Sequence, residues 1–263
     1  MSDEPRVLRR QDGGVLLLTL NRPRKQNAFD DPQWDALRDA LREAREDDGI
    51  AVVVVTGAGG DFSAGVDLGS FGGGAPREDG RASGYFGLME SLVAFDKPLV
   101  AAVRGVGVGI GATFLFHCDV VYLGEGARLR LPFVSLGLVP EGASSYMLQA
   151  VIGSRRAAEL FYTAEWITAP RALEVGIATR VLPDDAVLET ALAKAAEIAK
   201  HPVSALRATK RTLMRAHAAG IRAALEAEDA GMAAQAGSPE NIEAVRAFLE
   251  KRPPDFAKLR AGK

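Results

Sequence analysis

Residues 51–55, AVVVV, form an uninterrupted apolar run dominated by β-branched side chains, and residues 99–103, LVAAV, are a second buried run. Such runs are expected of strands covered on both faces, as strands are in a parallel sheet. Residues 15–20 make a further short apolar strand that ends in Asn21-Arg22-Pro23, and Val120, Val121 and Tyr122 are another candidate. Helical patterns fall between them. Asp31 before Pro32 reads as an N-cap with proline at the first helical position, after which Trp34, Leu37, Leu41 and Ala44 recur at helical spacing. A second helix carries Tyr85, Leu88, Met89 and Leu92. This alternation points to an α/β fold with parallel pairing.

After Pro170 the pattern is nearly all helical. Residues 186–200, 203–218 and 221–236 are helical segments, and Ser238 before Pro239 caps a last helix through Leu249. These helices either close their own core or pack on a neighbouring subunit. At 263 residues the chain fits one large domain, alone or with a helical appendage. Its formal net charge of -2 gives no electrostatic footprint for nucleic acid. No apolar run approaches a membrane span, and the polar start of the chain has no signal core behind it. The single cysteine, Cys118, sits in an apolar stretch and suits a reducing compartment. A soluble cytoplasmic protein is expected. Residues 69–81, GSFGGGAPREDGR, are either a mobile lid or a tolerated insertion.

Three segments carry candidate chemistry. Pro140-Glu141-Gly142 sets a carboxylate between an apolar segment and a small-residue helix start. Poor solvation there raises proton affinity and makes Glu141 a candidate base. Ser63-Ala64-Gly65 follows the strand at 51–55, and its small side chains let backbone N–H groups approach a ligand. The glycine run at 105–111 follows the strand at 99–103 and opens a short helix, with its N–H groups at the positive end of a dipole. Two donors aimed at one oxygen form an oxyanion hole, and a base beside them suffices to take a proton next to a carbonyl. The competing readings are structural: glycines that only permit tight turns, and a Glu141 that only interacts with a helix dipole.

Other chemistries fit less well. Residues 107–112 match the G-x-G-x-x-A dinucleotide pattern, with Glu125 further on, but the apolar helix at 110–117 is short and Asp119 interrupts the chain before the next strand. Asp61 stands where a G-x-S-x-G elbow around Ser63 needs glycine. His117, His201 and His217 lack metal-ligand spacing, so no metal site is expected and each reads as a surface or packing residue. Lys97 reads as a solvated residue at a strand start.

Over essentially its whole length the chain resembles the crotonase (enoyl-CoA hydratase/isomerase) superfamily. The marks are NRP at 21–23 with Asn27-Ala28, FSAGVDL at 62–68, AAVRGVGVGIGA at 101–112, Cys118-Asp119, LPFVSLGLVPEG at 131–142 and the helical tail. The resemblance implies a spiral of ββα units over residues 1–195 with an acyl-CoA site, and a helical trimerisation region over 196–263 that builds trimers or hexamers. It implies no permanently bound cofactor; coenzyme A arrives as part of the thioester substrate. The thioester oxygen is expected to meet the N–H groups of Ala64 and Ile110, with Gly109 the neighbouring possibility. CoA contacts are expected at Arg22, Arg24, Lys25, Ala28, Ser63, Gly65, Asp67 and Leu68, and the acyl pocket at Thr113, Phe133, Leu136, Leu138 and Pro140.

The departures from the pattern carry as much weight. Hydratases of the superfamily use two glutamates, which would fall at Thr113 and Phe133, and neither side chain can act as a carboxylate base. Glu141 remains. Its run, PEGASSY, is similar to that of the peroxisomal-type Δ3,Δ2-enoyl-CoA isomerases of fatty acid metabolism, in which a lone glutamate there shuttles the proton. An isomerase is therefore expected. The alternatives are a hydratase, an aromatic acyl-CoA dehalogenase with its nucleophilic carboxylate at the same position, and a non-catalytic acyl-CoA-binding relative.

Overall fold

The computed structural model describes residues 4–67 and 84–261. Leu68 and the loop at 69–81 lie outside the described residues. The chain opens with a hairpin of β1 (Val7–Asp12) and β2 (Val15–Leu20), followed by α1 (Asp31–Glu46), β3 (Val52–Gly57), α2 (Gly84–Ala94) and β4 (Leu99–Val103). Next come β5 (Val106–Val108), the one-turn helix α3 (Ile110–Thr113), a 3-10 turn at Phe114–His117, β6 (Val120–Gly124) and β7 (Arg128–Arg130). A 3-10 turn at Val134–Leu136 leads to α4 (Ser144–Ile152), α5 (Ser154–Thr163), β8 (Trp166–Thr168), α6 (Ala169–Val175) and β9 (Arg180–Leu182). The rest is helical: α7 (Val187–Ile198), α8 (Val203–Arg215), α9 (Ala218–Gln235), α10 (Pro239–Leu249) and α11 (Phe256–Ala261).

The larger sheet has the order β1-β2-β3-β4-β6-β9 and is parallel except at β1–β2. Because side chains alternate across a strand, β3 sends Val53 and Val55 to one face and Val52 and Val54 to the other. The first pair packs with Leu37, Leu41, Leu88 and Leu92 of α1 and α2, the second with Val187, Ala191 and Ala195 of α7. Both faces are covered, which is why the run is apolar throughout. The smaller sheet, β5-β7-β8, splits β5 from β4 and gives the glycine run its own scaffold. The dinucleotide reading of residues 107–112 fails here, because α3 is a single turn too short to present a phosphate site.

Two expectations need correction. Asp30, not Asp31, is the N-cap of α1: its side chain accepts the Gln33 N–H at 3.0 Å, which moves Pro32 one place into the helix. Lys97 is not solvated but fully buried. Its Nζ donates to the carbonyls of Ala44 and Asp47 at 2.7 Å each, closing the negative end of α1, while burial holds its pKa below the usual value.

The helical tail packs on its own chain. Lys210 of α8 pairs with Asp119 at 2.8 Å and donates to the Lys97 carbonyl at 3.0 Å, and Arg207 pairs with Asp96 at 3.0 Å. α9 packs on α4, and Asn241 of α10 donates to the Leu136 carbonyl at 2.8 Å. Leu213, Ile242, Phe248 and Leu249 remain exposed on these helices.

Candidate active site

The two glycine-bearing segments meet as a parallel bridge between Ser63 and Gly107. Ser63 N–H donates to the Val106 carbonyl at 3.0 Å, and Val108 N–H donates to the Ser63 carbonyl at 2.9 Å. Backbones this close leave no room for side chains: a Cβ on Gly65, which has φ of +91°, would stand 2.7 Å from the Val108 oxygen. The segments thus form one continuous backbone surface next to the start of α3.

The N–H groups of that surface have definite partners. Ala64 N–H donates to the Gln26 carbonyl at 2.8 Å, because Gln26 and Asn27 both take left-handed backbone angles that turn the chain back. This bond occupies the Ala64 N–H, one of the two donors expected at the thioester oxygen. Gly109, the neighbouring possibility, donates its N–H to the Arg130 carbonyl at 3.1 Å across the glycine turn. Ile110 is different: its N–H, at the first position of α3, favours the charged form of the Glu141 carboxyl, whose Oε1 would lie 3.7 Å from a Cβ on the neighbouring Gly109. Base and donor therefore share one place.

Glu141 sits before α4 in a turn whose next two residues, Gly142 and Ala143, have φ of +74° and +56°. Three separate elements grip this turn. Gly142 N–H donates to the Tyr85 phenol of α2 at 2.7 Å, and its carbonyl accepts from His117 Nε2 at 2.8 Å. The N–H groups of Ala143 and Ser145 donate to the two carboxylate oxygens of Glu228 on α9, at 2.7 and 2.8 Å. Glu228, not Glu141, caps α4, so the dipole-only reading of Glu141 loses its basis. Burial pushes the Glu141 pKa up to about 7, the Glu228 charge adds to the rise, and the Ile110 N–H works against it. Tyr85 is pushed upward too, by burial first and then by the Glu141 charge, so it stays a neutral phenol. Burial lowers the pKa of His117, which fits a neutral ring donating from Nε2.

The expected acyl-pocket residues divide. Thr113 is completely buried, its Oγ1 has no hydrogen-bond partner, and a Cβ on Gly142 would lie 3.0 Å from that oxygen. Phe133 is buried with its ring centroid 6.4 Å from that of Phe161, so an aromatic ring fills the second hydratase position. Leu136, Leu138 and Pro140 are half-buried along the segment leading to Glu141.

Several residues expected to contact CoA make internal ties. Arg22 donates to the Ala28 carbonyl and pairs with Asp67 at 2.9 Å and Asp30 at 3.1 Å, so its guanidinium is spent on joining the loop to α1. Ser63 is completely buried, with Oγ donating to the Asn27 carbonyl at 2.9 Å and accepting from Gly65 N–H at 3.2 Å. Asp67 N–H donates to the Phe29 carbonyl at 2.9 Å, and Ala28 is buried. Arg24 and Lys25 are exposed on the 3-10 turn at Pro23–Lys25, close in sequence to the Gln26 carbonyl that holds Ala64. Leu68 lies outside the described residues. Among the described residues no group of three or more His, Cys, Asp or Glu could hold a metal ion. No helix among them is long and apolar enough to cross a membrane.

Sequence reasoning missed Tyr85, His117 and Glu228 as parts of the site. Tyr85 is hidden in an apolar helical pattern, and Glu228 lies 87 positions from Glu141 in a helix with charges on several sides, so neither has a local signal.

A backbone cradle beside a half-buried carboxylate, on two sheets wrapped by helices, defines an α/β enzyme that handles an activated carbonyl. The chain belongs to the enoyl-CoA hydratase/isomerase family, the crotonase superfamily, whose description matches residues 10–259 and whose members act on CoA thioesters. It is 37% identical over 245 residues to a 2,3-dehydroadipyl-CoA hydratase of Escherichia coli, covering 92% of this chain and 94% of that protein. It is 33% identical over 251 residues to enoyl-CoA delta isomerase 2 of Rattus norvegicus, covering 94% of this chain and 64% of that protein. A crystal structure of an enoyl-CoA hydratase/isomerase from Pseudoalteromonas atlantica T6c superposes with a TM-score of 0.90 at 34% identity, over 95% of this chain and 99% of that one. The expected crotonase fold class is thereby confirmed.

Proposed function

We propose that the chain is a Δ3,Δ2-enoyl-CoA isomerase in which Glu141 is the only acid–base group. The observation that carries this reading is the placement of Glu141: its Oε1 would lie 3.7 Å from a Cβ on Gly109 at the glycine turn, and burial pushes its pKa up to about 7, where a carboxyl can hold or release a proton at neutral pH. Glu141 takes a proton from C2 of a 3-enoyl thioester, and the electron pair moves through C2 to the thioester oxygen as a dienolate. The same carboxyl returns the proton to C4, so the double bond moves from C3–C4 to C2–C3 and nothing is gained or lost.

The Ile110 N–H links binding to basicity. That donor lowers the proton affinity of Glu141. A thioester oxygen that takes it deprives the carboxylate of that stabilisation, and so makes it a stronger base as the substrate acquires its activating contact. Ala64 would contribute the second donor once its bond to Gln26 opens. Arg24 and Lys25 would meet the phosphates of CoA. The exposed apolar residues on α8 and α10 would be covered in a trimer or hexamer, and the compartment would be the cytoplasm.

Hydration is the second reading, since one relative is a 2,3-dehydroadipyl-CoA hydratase. Against it, the hydratase positions hold Thr113 and a buried Phe133. Incubating purified protein with 3-hexenoyl-CoA and with crotonyl-CoA separates the two. Isomerisation of the first should be far faster than hydration of the second, and efficient hydration of crotonyl-CoA that survives Glu141→Ala overturns the reading.

A further inference from the structure

We infer that Glu228 of α9 is the positioning residue for Glu141, fixing the turn that carries the base and placing a second negative charge beneath it. This rests on the reading of Glu141 as the base and extends it to a residue far away in the chain. The geometry is specific. One carboxylate takes both the Ala143 and the Ser145 N–H, at 2.7 and 2.8 Å, and Glu228 is itself only 5% exposed. An ionised carboxylate offers a full acceptor to each N–H at once; a neutral amide presents one acceptor and one donor. A charge held this way, off water and next to the base, disfavours ionisation of Glu141, in line with the upward push it gives that group.

The other groups facing Glu141 act differently. Tyr85 from α2 is neutral, His117 from the 3-10 turn is neutral and spent on the Gly142 carbonyl, and the Ile110 N–H from α3 stabilises the carboxylate. Burial raises the pKa of Glu228 itself, against the hydrogen bonds from Ser145 and Ala143 that favour its charged form, and raises that of its neighbour Asp229. Among the described residues, Glu228 is thus the carboxyl that both orders the turn, through two N–H bonds, and opposes the Glu141 charge.

The test is a carboxyl 13C NMR titration of the full chain labelled at its glutamate side chains, with Glu141 assigned through Glu141→Gln. In Glu228→Gln the midpoint of Glu141 should fall by about one unit, the scale of losing a near like charge. An unchanged midpoint overturns the inference. The unaltered protein gives a second check: Glu228 should already be ionised throughout the range where Glu141 titrates, and a Glu228 that is still protonated there also overturns it. Neither readout needs turnover, so a Glu141→Gln variant that stays active would remove the base reading and leave this result standing. Where turnover is present, Glu228→Gln should move the acid limb of the pH–rate profile downward along with the Glu141 midpoint. A lowered plateau with an unmoved limb would mark a purely structural role.

Discussion

Tyr85 and Gly142 are joined by one hydrogen bond of 2.7 Å, through which helix α2 holds the peptide that follows Glu141. The ring is set edge-on against Trp34, with centroids 5.9 Å apart, so the phenol has little freedom to follow a moving turn. Tyr85→Phe keeps that packing and deletes the acceptor, leaving the buried Gly142 N–H without its partner. The expected cost is about 1–3 kcal/mol, the usual penalty for a stranded buried donor. It should appear as a lower denaturant midpoint at unchanged m-value, together with reduced turnover. Midpoint and rate both at the level of the unaltered protein would show that the bond contributes nothing.

Glu141 also leaves a signature in stability. Its pKa rises from 4.5 to about 7 on folding, so between those values the native state holds more proton than the unfolded chain. Stability from this group is therefore full at the acid end and lost as pH rises through about 4.5 to 7. Glu141→Gln removes the titration. The melting temperature of the variant relative to the original should rise between about pH 5 and about pH 8. A gap that stays constant across that range would contradict the raised pKa.

Gly65 gives a third test, because its φ of +91° and the Val108 oxygen 2.7 Å from a built Cβ act together. Gly65→Ala should strain the backbone and push the two cradle segments apart, lowering stability by about 1 kcal/mol or more. The acyl-CoA site should suffer beyond that, so turnover at a temperature where the variant is still folded is the measurement to make. Normal turnover there would mean the cradle tolerates the separation.

The sequence made the parallel core and the glycine turns legible because burial on both faces and close backbone approach each leave a local mark. β1 left none: only Val7 of its six residues is buried, so the pattern VLRRQD reads as surface. Lys97 misled for a different reason, since a cation bound to two helix-end carbonyls looks like any solvated lysine until the fold brings α1 to it. The same holds for Arg22, whose partners Asp30 and Asp67 are fixed only by tertiary packing. Glu141 could be singled out as a candidate base because it lies in a short motif. The grip on it could not, because Tyr85, His117 and Glu228 come from three distant segments.

For CoA, the outcome at Arg22 redistributes the expected roles. Lys25→Glu should weaken binding of an acyl-CoA several-fold, and the loss should shrink with added salt, as for any exposed charge pairing with phosphate. Arg22→Ala should instead lower the melting temperature, since it strips partners from Asp30 and Asp67. CoA esters should raise the melting temperature of the unaltered protein while NAD leaves it unchanged. Stabilisation by NAD would reopen the dinucleotide reading of residues 107–112.

Glu141→Gln decides between a base and a bystander. The substitution keeps shape and polarity and removes the proton acceptor, so kcat on a 3-enoyl-CoA should fall by about 10² or more, the scale of lost general-base catalysis. Binding of the thioester should change little, because the donors and the CoA contacts belong to other residues. Stability should not fall at neutral pH, since Glu228 takes the α4 N–H groups and Glu141 contributes no cap. A helix-capping Glu141 would give the opposite pattern: turnover nearly intact and stability lower by about 0.3–1 kcal/mol. Measuring kcat, Kd and melting temperature on this one variant distinguishes the two, and retained turnover with lowered stability would mean the base lies elsewhere.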